Sequence, residues 1–302
     1  MWFNPSGACA RRRLWRALDA PGAVRMKRYR IGAFDFDSRP LVLGMEIKDE
    51  WDEPVKAQNR ANRERVREEY LCEYGPRWGE QKLKNILDLK SKPLSILAFH
   101  NSFMEQVRDA FIIGAYYPAL VAACALGERI LNHLVLLLRA DFSDTPEYKR
   151  VYGKESFDNW AVPVSVLDAW GVLLPEASAA FQALEAVRHR AVHFDPATDR
   201  EDRPLALEAI GHLNRIVSVQ FGAFGTQPWF MTNVPGEVYI RKSAEAQPFV
   251  RRVYLPNCVL VGSLHRIGGS GARFEVEDAH DYEIRDISDE EFIQLRRKSL
   301  GV

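Results

Sequence analysis

One stretch constrains the fold of this chain more than any other: the apolar run from Ala115 to Leu138, AYYPALVAACALGERILNHLVLLL. By length it could span a bilayer. Yet Glu128, Arg129, Asn132 and His133 interrupt its middle, and charged groups at a membrane centre are costly. The run therefore reads as a buried core helix, and no membrane span is expected. A helix apolar on most sides needs other helices around it. The neighbouring sequence supplies them.

Residues 94–225 read as almost continuous helix. SILAFHNSFMEQVRDAFIIG precedes the apolar run, and RADFSDTPEYKRVYGKESFDNW follows it as a loop. A third helix is expected around VSVLDAWGVLL. Pro175-Glu176 opens a fourth, EASAAFQALEAVRHRAVHF, which Asp195-Pro196 stops. PLALEAIGHLNRIVSVQFGAF makes a fifth. Short connections favour antiparallel neighbours. The fold class is mainly α: a four- to five-helix bundle core with small strand-rich N- and C-terminal flanking regions.

The flanks differ in texture. Residues 26–93 carry two strand-like runs, YRIGAFDFD and LVLGMEI, then a charged helix, VKAQNRANRERVREEYLCEY, ended by Gly75-Pro76. Residues 226–302 return to strand texture in GEVYIRK, FVRRVYLP, CVLVGSLHRI and RFEVED, with GGSG as a hairpin turn. Ser288 with Glu291 three residues on is a capping box opening a C-terminal helix. Strands from the two flanks are expected to share a small sheet. Residues 1–25 are basic and make a poor secretory signal. They read as unstructured, or as lying ahead of a natural start at Met26.

Charge and cysteine usage narrow the function. Lys plus Arg equals Asp plus Glu at 41 each, so any basic surface must be local. Cys9, Cys72, Cys124 and Cys258 form no CxxC pair, which disfavours a zinc ribbon or disulfide framework and suits a cytoplasmic location. Cys124 reads as a small core residue.

The fourth helix carries the candidate chemistry. At about 100° per residue, Arg188 falls inside the apolar stripe of Phe181, Leu184 and Val192. His189 and His193 lie on one edge, and Arg190 faces water. An arginine in an apolar stripe needs a partner. Either an ion pair joins two helices, or the stripe faces a cleft or subunit interface where an anion binds. Glu128 and Asn132 share one face of the apolar helix, and Glu128 pairing with Arg188 would explain both polar intrusions. A metal on His189 and His193 is disfavoured by the flanking arginines and by the lack of a clear third ligand. Phosphate suits the set better, because arginine forks match phosphate oxygens and histidine moves protons near neutrality.

Arg188-His189-x-x-x-His193 late in a helix resembles the R-x4-6-H signature of the HEPN superfamily. GAYYPALVAACALGERILNHLV and LDAWGVLLPEASAAFQALEAVRHRAVHF resemble that family's long helix and its third and motif helices. The resemblance covers about residues 94–225. It implies an HEPN-like bundle and a metal-independent endoribonuclease without a cofactor, acting on RNA in phage defence, toxin–antitoxin or stress response. It implies a homodimer with facing motif helices, and an antitoxin or defence protein as a possible partner. Arg188 and His193 would be catalytic, His189 auxiliary, and Glu128 and Asn132 supporting. Other HEPN proteins are non-catalytic modules that bind a partner protein or nucleotide.

Lesser candidates have bland alternatives. Lys149, Arg150 and Lys154, with Tyr152 between them, could guide an RNA backbone or simply form a solvated loop. Asp35 and Asp37 could pair as acids or metal ligands, or form the polar face of an edge strand. His100, His212, His265 and His280 show no partner pattern.

Overall fold

A computed structural model describes residues 26–96, 100–192, 198–268 and 275–302. The elements run β1 (Lys27–Ile31), β2 (Asp35–Asp37), α1 (Arg39–Leu43), α2 (Glu53–Tyr74), α3 (Gly79–Leu89) and β3 (Lys92–Ser95). Next come α4 (Asn101–Ile112), α5 (Tyr116–Leu138), α6 (Ala161–Ala169), α7 (Pro175–Val192) and α8 (Thr198–Phe221). β4 (Cys258–Gly262), β5 (Arg266–Gly268), β6 (Glu275–Glu277) and α9 (Asp289–Leu300) complete the order. The chain is mainly helical, with a few short strands. It divides into two compact units, one of Tyr29–Val259 and one of the described residues up to Arg28 with Leu260–Val302.

The larger unit is built around α5. This helix and the short 3-10 turn after it (Tyr116–Phe142) are long and apolar enough to cross a membrane by length and composition alone. Here α5 packs against α4, α6, α7 and α8. Leu120, Leu131 and Leu138 are fully buried. α7 lies along both α5 and α8. In α8 the helix breaks at Glu201, whose φ of −125° is non-helical. Pro204 thus stands in the first turn of the continuing helix, where its missing N–H costs little.

Several expectations hold. α5 and α2 occupy their predicted segments, and α2 stops at Gly75, whose φ is 77°. Ser288 caps α9 by accepting from the Glu291 N–H at 3.1 Å. β1 and β4, one from each flank, form a two-stranded sheet. β5 and β6 pair antiparallel with Gly268 opposite Glu275; the rest of the GGSG turn lies outside the described residues.

Other segments differ. LVLGMEI is not a strand. Pro40 presets the first turn of α1, Leu43 is buried, and the Gly44 N–H closes the turn onto the Pro40 carbonyl. FVRRVYLP is a π turn over Val250–Tyr254 followed by a 3-10 turn. A strand would have put Arg252 on the same face as the buried Val250 and Tyr254. The π turn instead lets Arg251 and Arg252 both reach Asp141, with Arg252 Nε at 3.0 Å. GEVYIRK makes only isolated bridges, Tyr239 with Arg30 and Ile240 with Phe230. The helix expected from Ser95 starts at Asn101. Lys92–Ser95 is instead a strand antiparallel to β2, tied to the end of α8 by Ile96 N–H to Phe221 O at 3.0 Å.

Candidate functional site

Glu128 and Arg188 meet across the α5–α7 interface, with Arg188 Nη2 3.2 Å from Glu128 Oε2. The close approach depends on Gly127. A Cβ there would stand 2.7 Å from both Leu184 Cδ2 and Trp160 Cη2. Trp160, at the start of α6, is fully buried. Its indole N–H donates to the same Glu128 oxygen at 3.2 Å, and its ring lies under the Arg188 guanidinium, 5.8 Å from the ring centre. Glu128 therefore satisfies two donors, and Arg188 is fixed by charge and by an aromatic surface.

Arg188 is not sealed in. Its side chain keeps 24% of its exposure. With Asp158, Asn159, Glu185 and His189 it lines an open cleft of about 410 Å³. One turn of α7 supplies Glu185, Arg188 and His189. The loop before α6 supplies Asp158 and Asn159. Asn132 holds that loop: its Nδ2 donates to Phe157 O at 3.0 Å, and its Oδ1 accepts from Phe157 N–H at 2.6 Å. The Asn159 side-chain oxygen accepts from Ala161 N–H at 3.0 Å, in the first turn of α6.

The sequence-predicted residues thus divide. Arg188, His189, Glu128 and Asn132 come together, Asn132 as a clamp on the cleft wall. His193 lies outside the described residues. Lys149, Arg150 and Lys154 are exposed on and after a 3-10 turn (Pro146–Arg150), and none of them lines the cleft. Arg190 faces solvent and forks onto Glu208 of α8, both bonds at 2.8 Å. Trp160, Asp158, Asn159 and Glu185 carried no pattern in the sequence. The one available signal was a tryptophan directly preceding a helix of high apolar content.

Other candidates resolve differently. Asp35 and Asp37 are each paired with a cation. Lys92 Nζ lies 2.5 Å from Asp35 and 2.6 Å from Glu105. Asp37 binds Arg39 at 3.0 Å and accepts from Tyr70 at 3.2 Å. Burial pushes the Asp37 carboxyl up, but hydrogen bonds and charge from Arg39 outweigh it and hold it below the usual carboxylate range. Burial pushes the Cys124 thiol up to about 11, as expected of a core cysteine. His100, which showed no partner pattern, meets His133 of α5, Nε2 to Nδ1 at 2.7 Å. Burial first, then the nearby His133 and Arg129, push His100 down to about 3. Among the described residues no three His, Cys, Asp or Glu side chains gather as a metal site would require.

Comparison of the chain with protein-family models, with curated proteins and with solved structures finds no match.

Proposed function

We propose that the chain is a metal-independent endoribonuclease of the HEPN type, and the placement of Arg188 carries this reading. Its guanidinium is oriented by Glu128 and Trp160 yet opens onto a cleft that it shares with His189. A pre-oriented fork at a cleft suits a phosphoryl group whose charge grows during reaction. In this reading a histidine takes the proton of an RNA 2′-OH, and the 2′ oxygen attacks the adjacent phosphorus. The bond to the 5′ oxygen breaks, and a second acid protonates that oxygen. The products carry a 2′,3′-cyclic phosphate and a 5′-OH. The resemblance assigns the main proton transfer to His193 and an auxiliary role to His189. Lys149, Arg150 and Lys154 would guide the flanking backbone, and a second copy would face the motif helix. Phage defence, toxin–antitoxin or stress response in the cytoplasm, with a controlling partner protein, is the setting this reading favours.

A second reading, a non-catalytic HEPN module binding a partner protein or nucleotide, is favoured by one observation. Glu128 already pairs with one nitrogen of the Arg188 guanidinium, so an incoming phosphate must compete with it there. Incubating the purified chain with total RNA in EDTA, beside His193→Ala, separates the two. Cleavage that survives EDTA, leaves cyclic ends and vanishes in the variant supports the nuclease. An inert wild type across several RNA classes supports the module.

A further inference from the structure

The cleft is not uniformly basic, and its acidic wall is unexplained by phosphate binding. Asp158 and Glu185 stand beside Arg188, so a second phosphate laid across them would be repelled. Among the described residues Glu185 makes no hydrogen bond or ion pair, although it is half-buried. A carboxylate left with both oxygens open in a cleft suits a ligand that brings adjacent N–H donors. Asn159 adds the opposite polarity: its oxygen is engaged by Ala161, which leaves its NH2 as a donor.

We infer that the cleft takes one guanine nucleotide unit, with the phosphate on Arg188, the base N1–H and N2–H2 on Glu185, and O6 facing Asn159. The inference rests on the reading that Arg188 holds phosphate, and it names the base read beside that phosphate. Guanine alone among the four bases places two neighbouring N–H donors next to a carbonyl acceptor. Adenine and cytosine offer one amino group beside an acceptor nitrogen, which a carboxylate repels. Uracil offers one N–H between two carbonyls. Glu185 and Arg188 are three apart on α7, so they stand one turn from each other on one face. The open cleft offers about 410 Å³ beside these two side chains. Single-stranded RNA is read in this way, with a splayed base bonded along its pairing edge.

The test is equilibrium binding to the full chain carrying His193→Ala, which prevents turnover. The probes are labelled pentauridylate RNAs with each base in turn at the central position, and free GMP as competitor. The guanine oligonucleotide should bind about tenfold more tightly than the uridine one. Glu185→Gln should remove that preference, and Arg188→Ala should weaken every probe. Competition by GMP identifies a free nucleotide as a sufficient ligand, and guanine preference in the oligonucleotides alone identifies an RNA residue. Equal affinity for all four bases, no binding by any probe, or a guanine preference that survives Glu185→Gln overturns the inference. A chain that discriminates guanine yet cleaves no RNA retains it and overturns the nuclease. A chain that cleaves RNA but binds all bases alike does the reverse.

Discussion

Glu128 and Arg188 form an ion pair at 3.2 Å between α5 and α7, and one Glu128 oxygen also takes the Trp160 indole N–H. The three side chains act as one unit, so the two ends of the pair should not be equivalent.

Removing Glu128 leaves the buried Trp160 indole N–H without its acceptor and the guanidinium without its counter-charge. Removing Arg188 leaves Glu128 still bonded to Trp160. Glu128→Ala should therefore cost about 1–3 kcal/mol, and Arg188→Ala less. Glu128→Gln should fall between wild type and Glu128→Ala, since an amide oxygen still accepts. Urea unfolding of the single and double variants checks this, with a coupling energy of about 0.5–2 kcal/mol expected from the cycle. Additive single variants would remove the unit.

Gly127→Ala should destabilise the chain although alanine is the better helix former. The new methyl meets Leu184, which can turn away, and the fully buried Trp160, which cannot. Overpacking of this kind costs about 1–3 kcal/mol. The thermal midpoint should drop by several degrees, and tryptophan fluorescence should change as Trp160 shifts. An unchanged or raised midpoint would show that α7 moves aside freely.

Stability should fall in mild acid because of His100. Its folded-state value is pushed down to about 3 from an ordinary 6.5, by burial first and then by the charges of His133 and Arg129. His133 is lowered as well, by burial and Arg129. Above pH 6.5 the unfolded histidine is neutral like the folded one, so nothing is lost. Below it the unfolded chain binds a proton that the folded chain refuses. Stability then declines toward pH 3, at up to about 1.4 kcal/mol per pH unit for His100. Urea midpoints measured between about pH 7.5 and 4 should show this slope, and His100→Leu should flatten it.

What could be read in advance followed from signals carried within one element. The apolar run of α5, the Gly75-Pro76 stop and the Ser288 capping box each specify their own local structure. Arg188 and Glu128 were legible as a pair because each is a polar intrusion into an apolar face, and such intrusions must satisfy each other. His100 and His133 were not, because their contact joins two elements with no spacing to announce it. The π turn at Val250–Tyr254 has the texture of a strand in sequence because β-branched and aromatic residues suit either once they are buried. Glu185 carries no signal in the sequence, because a glutamate on a helix is ordinary. Only the cleft beside it gives it meaning.

The Asn132 clamp grips the Phe157 backbone through both its N–H and its carbonyl, whatever side chain stands there. Between the buried Val151 and the buried Phe157, residues 152–156 are all exposed. The wall of the cleft is thus insulated from the segment that leads to it. Extra residues or a labelling tag placed between Glu155 and Ser156 would bulge into solvent and leave Asp158 and Asn159 where they are. That position is an engineering port: a reporter dye can be mounted beside the cleft without rebuilding it.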